Sequence, residues 1–290
     1  MTYKDTLKKS IKRIDDLVRD IQYADEGYPL FNWLEVTPID KCNRSCVFCP
    51  RADPAIAPNQ DLVMPKSLYG KLADELSAMD YQGTVMIAGY GEPMASKLVY
   101  DMAARFSAVC NTEITTNGDF LKPANIGKLL DAGISKIVVS MYDGPEQIEY
   151  FKEMFHQAGA DISRYILRDR WYSVDENFGL MLANRAGTTN VGNQHPIDTH
   201  KKCFYSHYAM MVDWNGDAFL CTNDWNRRIR AGNLALSSIA DIWASRIMKK
   251  NRRRLAKGRR DLSPCNKCNA DGTLHGEEHA AAWERFYSRG

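Results

Sequence analysis

The chain has 290 residues, of which 44% are apolar and 26% charged, and its formal net charge is +2. That length allows a full hydrophobic core. No apolar run approaches the ~20 residues that span a membrane, and so small a net charge supplies no general field for nucleic acid.

The first twenty residues, MTYKDTLKKSIKRIDDLVRD, contain lysines but also four aspartates, without the apolar stretch or small-residue cleavage site of a secretory signal. These features predict a cytoplasmic protein. In a reducing compartment eight cysteines point to metal rather than to disulfides. Residues 4–22 carry Leu7, Ile11, Ile14, Leu17 and Ile21 at helical spacing, predicting an amphipathic helix packed across the main domain.

Short apolar runs rich in β-branched residues follow: WLEVTPI (33–39), TVMIAGY (84–90), TEITT (112–116), KIVVSMY (136–142) and YILRD (165–169). Helical patterns lie between them at 66–80, 96–108, 122–132 and 145–158, several opened by Pro or Ser. Strands alternating with helices predict an α/β protein with a parallel sheet, here a partial (β/α)6 TIM-like barrel. Its chemistry belongs at the C-terminal ends of the strands, where the cysteine-rich loop, GYGEP, TTNG and SMYDG all fall.

Beyond residue 200 the pattern changes to two alternating runs around Asn215-Gly216, a hairpin signal, then the helix candidate SSIADIWASRIMKKNRRRLAKG and the turn-rich SPCNKCNADG. The expected division is a helical extension (1–30), a core (31–200) and a small C-terminal α+β domain (201–290). The basic run KKNRRRLAKGRR (249–260) lacks interleaved aromatics and follows an amphipathic helix. It reads as a solvated helix face rather than a nucleic-acid site, with an anionic substrate or redox partner as second reading.

Cys42, Cys46 and Cys49 form a C-x3-C-x2-C trio just after the first strand. Three thiolates on one loop can grip three irons of a [4Fe-4S] cluster and leave the fourth open, or they can belong to a zinc site completed from elsewhere. The trio after a first barrel strand resembles the radical S-adenosylmethionine (SAM) superfamily. That resemblance implies that the open iron chelates the amino and carboxylate groups of SAM, and that an electron from the cluster cleaves the sulfonium to methionine and a 5′-deoxyadenosyl radical, which abstracts hydrogen from substrate. It implies Phe48 beside the adenine. It also implies that Gly89, Gly91, Glu92 and Pro93 of GYGEP meet the SAM amino group, with Tyr90 between the glycines as a departure. Thr116, Asn117 and Ser140, at later strand ends, would face the ribose and carboxylate, although such residues are also ordinary caps. A flavodoxin or ferredoxin would be the reductant.

Cys203, Gly216 and Cys221, followed by the C-x2-C of Cys265 and Cys268, resemble the opening of a SPASM domain in its shortened twitch form. The resemblance implies one auxiliary [4Fe-4S] cluster on Cys203, Cys221, Cys265 and Cys268, and four-cysteine zinc remains the alternative on spacing alone. Cys110 is left over as a buried, inert thiol on the opposite face.

A fully ligated auxiliary cluster implies electron transfer, hence dehydrogenation of a carbon bearing a hydroxyl. This pattern is similar to the twitch-type dehydrogenases of aminocyclitol biosynthesis, and a small polar substrate is expected. An epimerase would need a spare thiol as hydrogen donor. A peptide maturase would commonly need a leader-binding domain, for which the roughly 30 residues before the first strand are too few, and a two-cluster electron carrier would need no barrel. Arg168, Arg170, Tyr172 and His195 are candidate substrate contacts, and one of them or Tyr90 is expected to act as base for the substrate hydroxyl.

Overall fold

The apolar runs become five parallel strands, β1 (Trp33–Val36), β2 (Thr84–Ile87), β3 (Asn111–Thr116), β4 (Lys136–Met141) and β5 (Tyr165–Asp169), paired in chain order. The computed structural model describes residues 11–171 and 181–289. Four helices make the crossovers: α1 (Lys66–Ala78), α2 (Val99–Ser107), α3 (Pro123–Asp131) and α4 (Gln147–Gln157). Proline starts two of them by its fixed φ, at the N-cap of α1 (Pro65) and at the first turn of α3. Strand alternation then sorts the side chains. Leu34 and Val36 of β1 enter the apolar core under the helices, whereas Trp33 and Glu35 line a cavity on the inner face.

After β5 come two short paired strands, β6 (Met181–Leu182) and β7 (Asn193–Gln194), and one helical turn, α5 (Tyr205–Tyr208). The hairpin predicted around Asn215-Gly216 is formed by β8 (Ala209–Val212) and β9 (Asp217–Phe219), with β10 (Arg230–Asn233) beside it. Gly216 takes φ +83° at the turn, a conformation that glycine adopts without strain.

β8 pairs in parallel with β1, so the sheet runs β10-β9-β8-β1-β2-β3-β4-β5. The sixth parallel strand thus sits on the β1 edge rather than after β5. All four residues of β8 are buried, as expected for a strand covered on both faces.

The single helix read near 237–258 is two, α6 (Ile239–Ala244) and α7 (Arg246–Ala256), broken at Ser245. Ser245 leaves the helical region (ψ 156°), and its hydroxyl accepts from the Met248 amide to start the next helix. The basic run is also not simply a solvated face. Arg252 is fully buried, its guanidinium 3.8 Å from the ring centres of both Trp243 and Trp283, and it donates to the carbonyls of Ser206 (2.8 Å) and Trp243 (2.9 Å). Backbone carbonyls take its Nε and Nη1 donors, and the two indole rings cover the charge.

The last helix, α8 (Glu277–Tyr287), returns to the start of the chain. Trp283 stacks on Tyr28 (5.8 Å), and His279 shares a 2.8 Å hydrogen bond with Asn32. The expected N-terminal helix is described over 11–17, and Leu7 lies outside the described residues. Arg13 reaches Glu113 and covers the Trp33 ring, while Val18 is buried with Tyr208 and Ala209. Among the described residues no helix is long and apolar enough to cross a membrane. Trp283→Ala should cost about 3–5 kcal/mol of unfolding free energy, measured by denaturant titration. A loss below ~1 kcal/mol would mean that α8 is not part of the core.

Candidate active site

Cys42, Cys46 and Cys49 line a cavity of about 440 Å³ at the C-terminal ends of the barrel strands. Their loop is irregular and is held by side chains. Asn59 accepts from the Cys42 amide (2.9 Å) and donates to its carbonyl (2.8 Å). Arg51, buried, donates to Asp40 (2.5 Å) and to the carbonyls of Tyr90 (2.7 Å) and Pro58 (2.9 Å). Arg44 is forked between Asp119 and Asp143 with contacts of 2.6–2.7 Å, tying the loop to the ends of β3 and β4. Burial pushes the Cys46 thiol up to about 12, so a metal rather than bulk pH is the natural means of ionising it.

The second loop is packed directly on the first. A Cβ on Gly91 would lie 2.0 Å from the Ile39 carbonyl oxygen, and the Glu92 amide donates to the Lys41 carbonyl (2.8 Å). Gly89 has φ +100°, and a Cβ there would meet Thr37. Pro93 opens a single 3-10 turn. The buried Glu92 carboxylate accepts from Thr116 Oγ1 (2.6 Å) and from the amides of Asn117 (2.7 Å) and Met94 (3.0 Å). Burial raises it to about 7 against those bonds, which pull the other way. Asn117 Nδ2 donates to Asn43 Oδ1 (2.8 Å), Phe48 stacks on Tyr142 (5.8 Å), and Ser140 Oγ accepts from Arg168 (2.7 Å). One cavity therefore gathers the trio with Phe48, Gly89, Gly91, Glu92, Thr116, Asn117 and Ser140.

The other four cysteines, Cys203, Cys221, Cys265 and Cys268, wall a second cavity of about 230 Å³. Gly272 lets the chain pass Cys203, since a Cβ there would be 2.2 Å from the sulfur. The amides of Asn223 and Ala270 donate to the Cys221 and Cys268 sulfurs, both at 3.4 Å, a polarity suited to thiolates. Arg260 staples the segments by donating to the carbonyls of Lys201 (2.9 Å), Lys202 (2.9 Å) and Ala270 (3.0 Å). Among the described residues no three Cys, His, Asp or Glu side chains converge on a single ion. A cubane asks for no such convergence, because its thiolates bind separate irons, and the soft four-sulfur donor set fits one.

Of the expected catalytic residues, Tyr90 and Arg168 line the cavity, whereas Arg170 and His195 do not. The Tyr90 hydroxyl donates to the Asp224 carbonyl (2.9 Å), its ring packs on Trp225 (4.3 Å), and burial holds the phenol well above its usual range. It bridges the barrel to the C-terminal segment and is not a ready base. His195 is exposed on a connecting segment, where its carbonyl accepts from Asn269 (2.9 Å), and neither it nor Arg170 is among the residues lining the cavity. Tyr172 lies outside the described residues. Arg168 does face the cavity, and burial followed by the neighbouring Arg170 lowers it to about 9. Cys110 donates weakly to the Phe106 carbonyl (3.7 Å), away from both cavities.

The cavity also holds Glu35, Arg185, Tyr205 and Thr222, none foreseen from sequence. Burial raises Glu35 to about 7, with Arg185 and then Arg168 opposing. Tyr205 and Thr222 share a 3.2 Å hydrogen bond, and Tyr205 and Tyr208 line both cavities. An acid inside the apolar run WLEV was the one signal in the sequence for this group.

An open thiol trio and a glycine-acid-proline loop on one barrel end, with a closed four-thiol site alongside, define the class: the chain carries a radical SAM domain and an auxiliary iron-sulfur domain. Residues 36–166 match the Radical SAM superfamily and residues 203–269 the SPASM iron-sulfur cluster-binding domain. The chain is similar to the S-adenosyl-L-methionine-dependent 2-deoxy-scyllo-inosamine dehydrogenase of Niallia circulans, with 29% identity over 246 residues, covering 83% of this chain and 93% of that protein. Its structure is similar to BtrN in complex with AdoMet and 2-DOIA, with a TM-score of 0.73 and 27% identity over 87% of this chain and 98% of that one. SuiB of Streptococcus suis, bound to the precursor peptide SuiA, shares the fold at a TM-score of 0.53 and 15% identity, over 92% and 74% of the two chains. The protein is thus a radical SAM enzyme homologous to a dehydrogenase, with SAM, a [4Fe-4S] cluster and auxiliary iron-sulfur as its cofactors. Replacing Cys265 and Cys268 with alanine should lower iron from about eight to about four atoms per chain while SAM cleavage persists. Unchanged iron would place the auxiliary cluster elsewhere.

Proposed function

We propose that the enzyme removes two electrons and two hydrogens from a secondary alcohol of a small polar substrate held between the two cysteine sites. The observation that carries this reading is the shared wall of the two cavities, Tyr205 and Tyr208, which sets the substrate space beside an acceptor for its second electron. Cys42, Cys46 and Cys49 would hold the cluster that, with SAM, supplies a 5′-deoxyadenosyl radical for hydrogen-atom abstraction, and Cys203, Cys221, Cys265 and Cys268 would hold a cluster that supplies an acceptor for the remaining electron.

The chain's own groups do the rest. Phe48, Gly89, Gly91, Glu92, Thr116, Asn117 and Ser140 hold SAM, with Pro93 fixing the turn. Glu35 accepts the substrate hydroxyl proton: its carboxylate faces the cavity and, among the described residues, forms no hydrogen bond or ion pair. Arg168 orients the substrate or the SAM carboxylate. Returning a hydrogen atom, as an epimerase must, would need a free thiol at the cavity, and Cys110 is not among its lining residues. A flavodoxin or ferredoxin in a reducing cytoplasm would supply the first electron. The division at residues 30 and 200 is retained on the same footing.

Anaerobic reconstitution with reductant and SAM, followed by a mass-spectrometric screen of polar alcohols, should yield 5′-deoxyadenosine together with a product two hydrogens lighter. A product of unchanged mass would favour epimerisation. Glu35→Gln should lower turnover about 10²- to 10⁴-fold. Because burial raises the Glu35 carboxyl from 4.5 to about 7 and only its ionised form accepts a proton, wild-type turnover should be present above pH 7 and fall away below it. Turnover of Glu35→Gln within twofold of wild type would remove Glu35 from this role.

A further inference from the structure

Five arginines line the cavity above the cysteine trio: Arg13, Arg44, Arg51, Arg168 and Arg185. Three have carboxylate partners, Arg13 with Glu113, Arg44 with Asp119 and Asp143, and Arg51 with Asp40. Arg168 and Arg185 have none among the described residues. Arg168 donates to Ser140 Oγ, and its Nε is buried without a hydrogen-bond partner. Arg185 makes one long contact, 3.4 Å to Asn223 Oδ1. A guanidinium out of bulk water without a counter-charge is costly, and a pair facing one cavity repel one another as well.

Arg185 is also placed with care. It stands at φ +47° and the next residue, Ala186, at φ +55°, two consecutive left-handed residues that are not glycine. The turn is clamped by a reciprocal pair of buried amides. The Asn184 amide donates to Asn269 Oδ1 (2.7 Å), the Asn269 amide donates to Asn184 Oδ1 (3.2 Å), and Asn184 Nδ2 adds a bond to the Lys267 carbonyl (2.7 Å). Lys267 and Asn269 flank Cys268, so the auxiliary-site loop itself fixes the arginine that enters the substrate space.

We infer that the substrate carries an anionic group, a carboxylate or a phosphate, and that Arg185 is the specificity residue that binds it. This rests on the dehydrogenase reading of the same site. The carboxylate of SAM, expected near Ser140, would supply one anion beside Arg168. It leaves Arg185, carried in from the auxiliary side, with no ion pair among the described residues and Glu35 as the carboxylate whose charge it feels. A planar guanidinium fits either anion in a two-pronged contact and repels an ammonium. Glu35, which lines the same cavity, would face the substrate's hydroxyl end and discourage a second anion there.

The test is calorimetric binding to the reconstituted holoenzyme with SAM, using glucuronate (carboxylate), glucose 6-phosphate (phosphate), scyllo-inositol (uncharged) and 2-deoxy-scyllo-inosamine (ammonium). At least one anion should bind more tightly than the uncharged and ammonium probes, and the two anionic arms decide between carboxylate and phosphate. Arg185→Gln should weaken that anion about 10- to 100-fold, with Arg185→Lys recovering part of the loss. The inference is overturned if neither anion binds, if the ammonium or uncharged probe binds as tightly, or if Arg185→Gln with full iron content changes anion affinity less than threefold. Should the Gln variant lose iron, the wild-type ranking of the four probes decides alone. Binding needs no turnover, so failure to find a dehydrogenated product would count against the reaction and not against the anion, and the reverse holds too.

Discussion

The pairing of β1 with β8 is the contact on which the rest of the molecule depends. β1 carries Glu35 into the cavity and leads into the cysteine trio, while β8 leads through the Asn215-Gly216 turn to Cys221. Their register sets Glu35 opposite Met211 and Val36 opposite Val212, and it is extended at either end by the Asn32 amide to the Tyr208 carbonyl (2.8 Å) and the Thr37 amide to the Val212 carbonyl (2.9 Å). A slip of one residue would send Glu35 into the apolar core and Leu34 into the cavity, so burial fixes the register strongly. Backbone hydrogen bonds in one ladder therefore decide how the two thiol sites stand relative to each other.

Around that frame the chain solves a problem of buried charge. Seven thiols in two cavities, flanked by arginines and acids, are stable only where each ionic group finds a partner or a metal. Arg44, Arg51 and Arg260 fasten irregular loops by donating to carboxylates and carbonyls in several directions at once, which a lysine's single ammonium would do poorly. Glu92 is the acidic counterpart, with hydrogen bonds from the end of β3 on both its oxygens. Against this well-paired background Glu35, Arg168 and Arg185, which form no ion pair among the described residues, mark the space we propose for substrate.

Much of this was legible in the sequence, for identifiable reasons. Apolar runs separated by helical spacings give parallel strands almost directly, Asn-Gly gives the hairpin, and the seven cysteines give both cluster sites through their resemblance to known motifs, since spacing alone leaves zinc open. The misreadings share a cause. Tyr90 and His195 look reactive as residue types, but one hydroxyl is used up by the Asp224 carbonyl and the other side chain faces solvent. Arg252 sits in a run that reads as a solvated face, and two tryptophans distant in sequence bury it. Glu35 hides because alternation assigns a strand's polar residue to water, whereas in a barrel the inner face is itself a polar site. Arg185 leaves no mark at all, since its left-handed turn depends on amides more than eighty residues away.

The central claim is that the substrate's second electron passes to the auxiliary site. It is tested most directly by electron paramagnetic resonance after a single turnover, with cluster reduction counted against product. The account predicts one reduced auxiliary cluster for each oxidised substrate molecule. Product formed in full while the auxiliary cluster stays oxidised would contradict it.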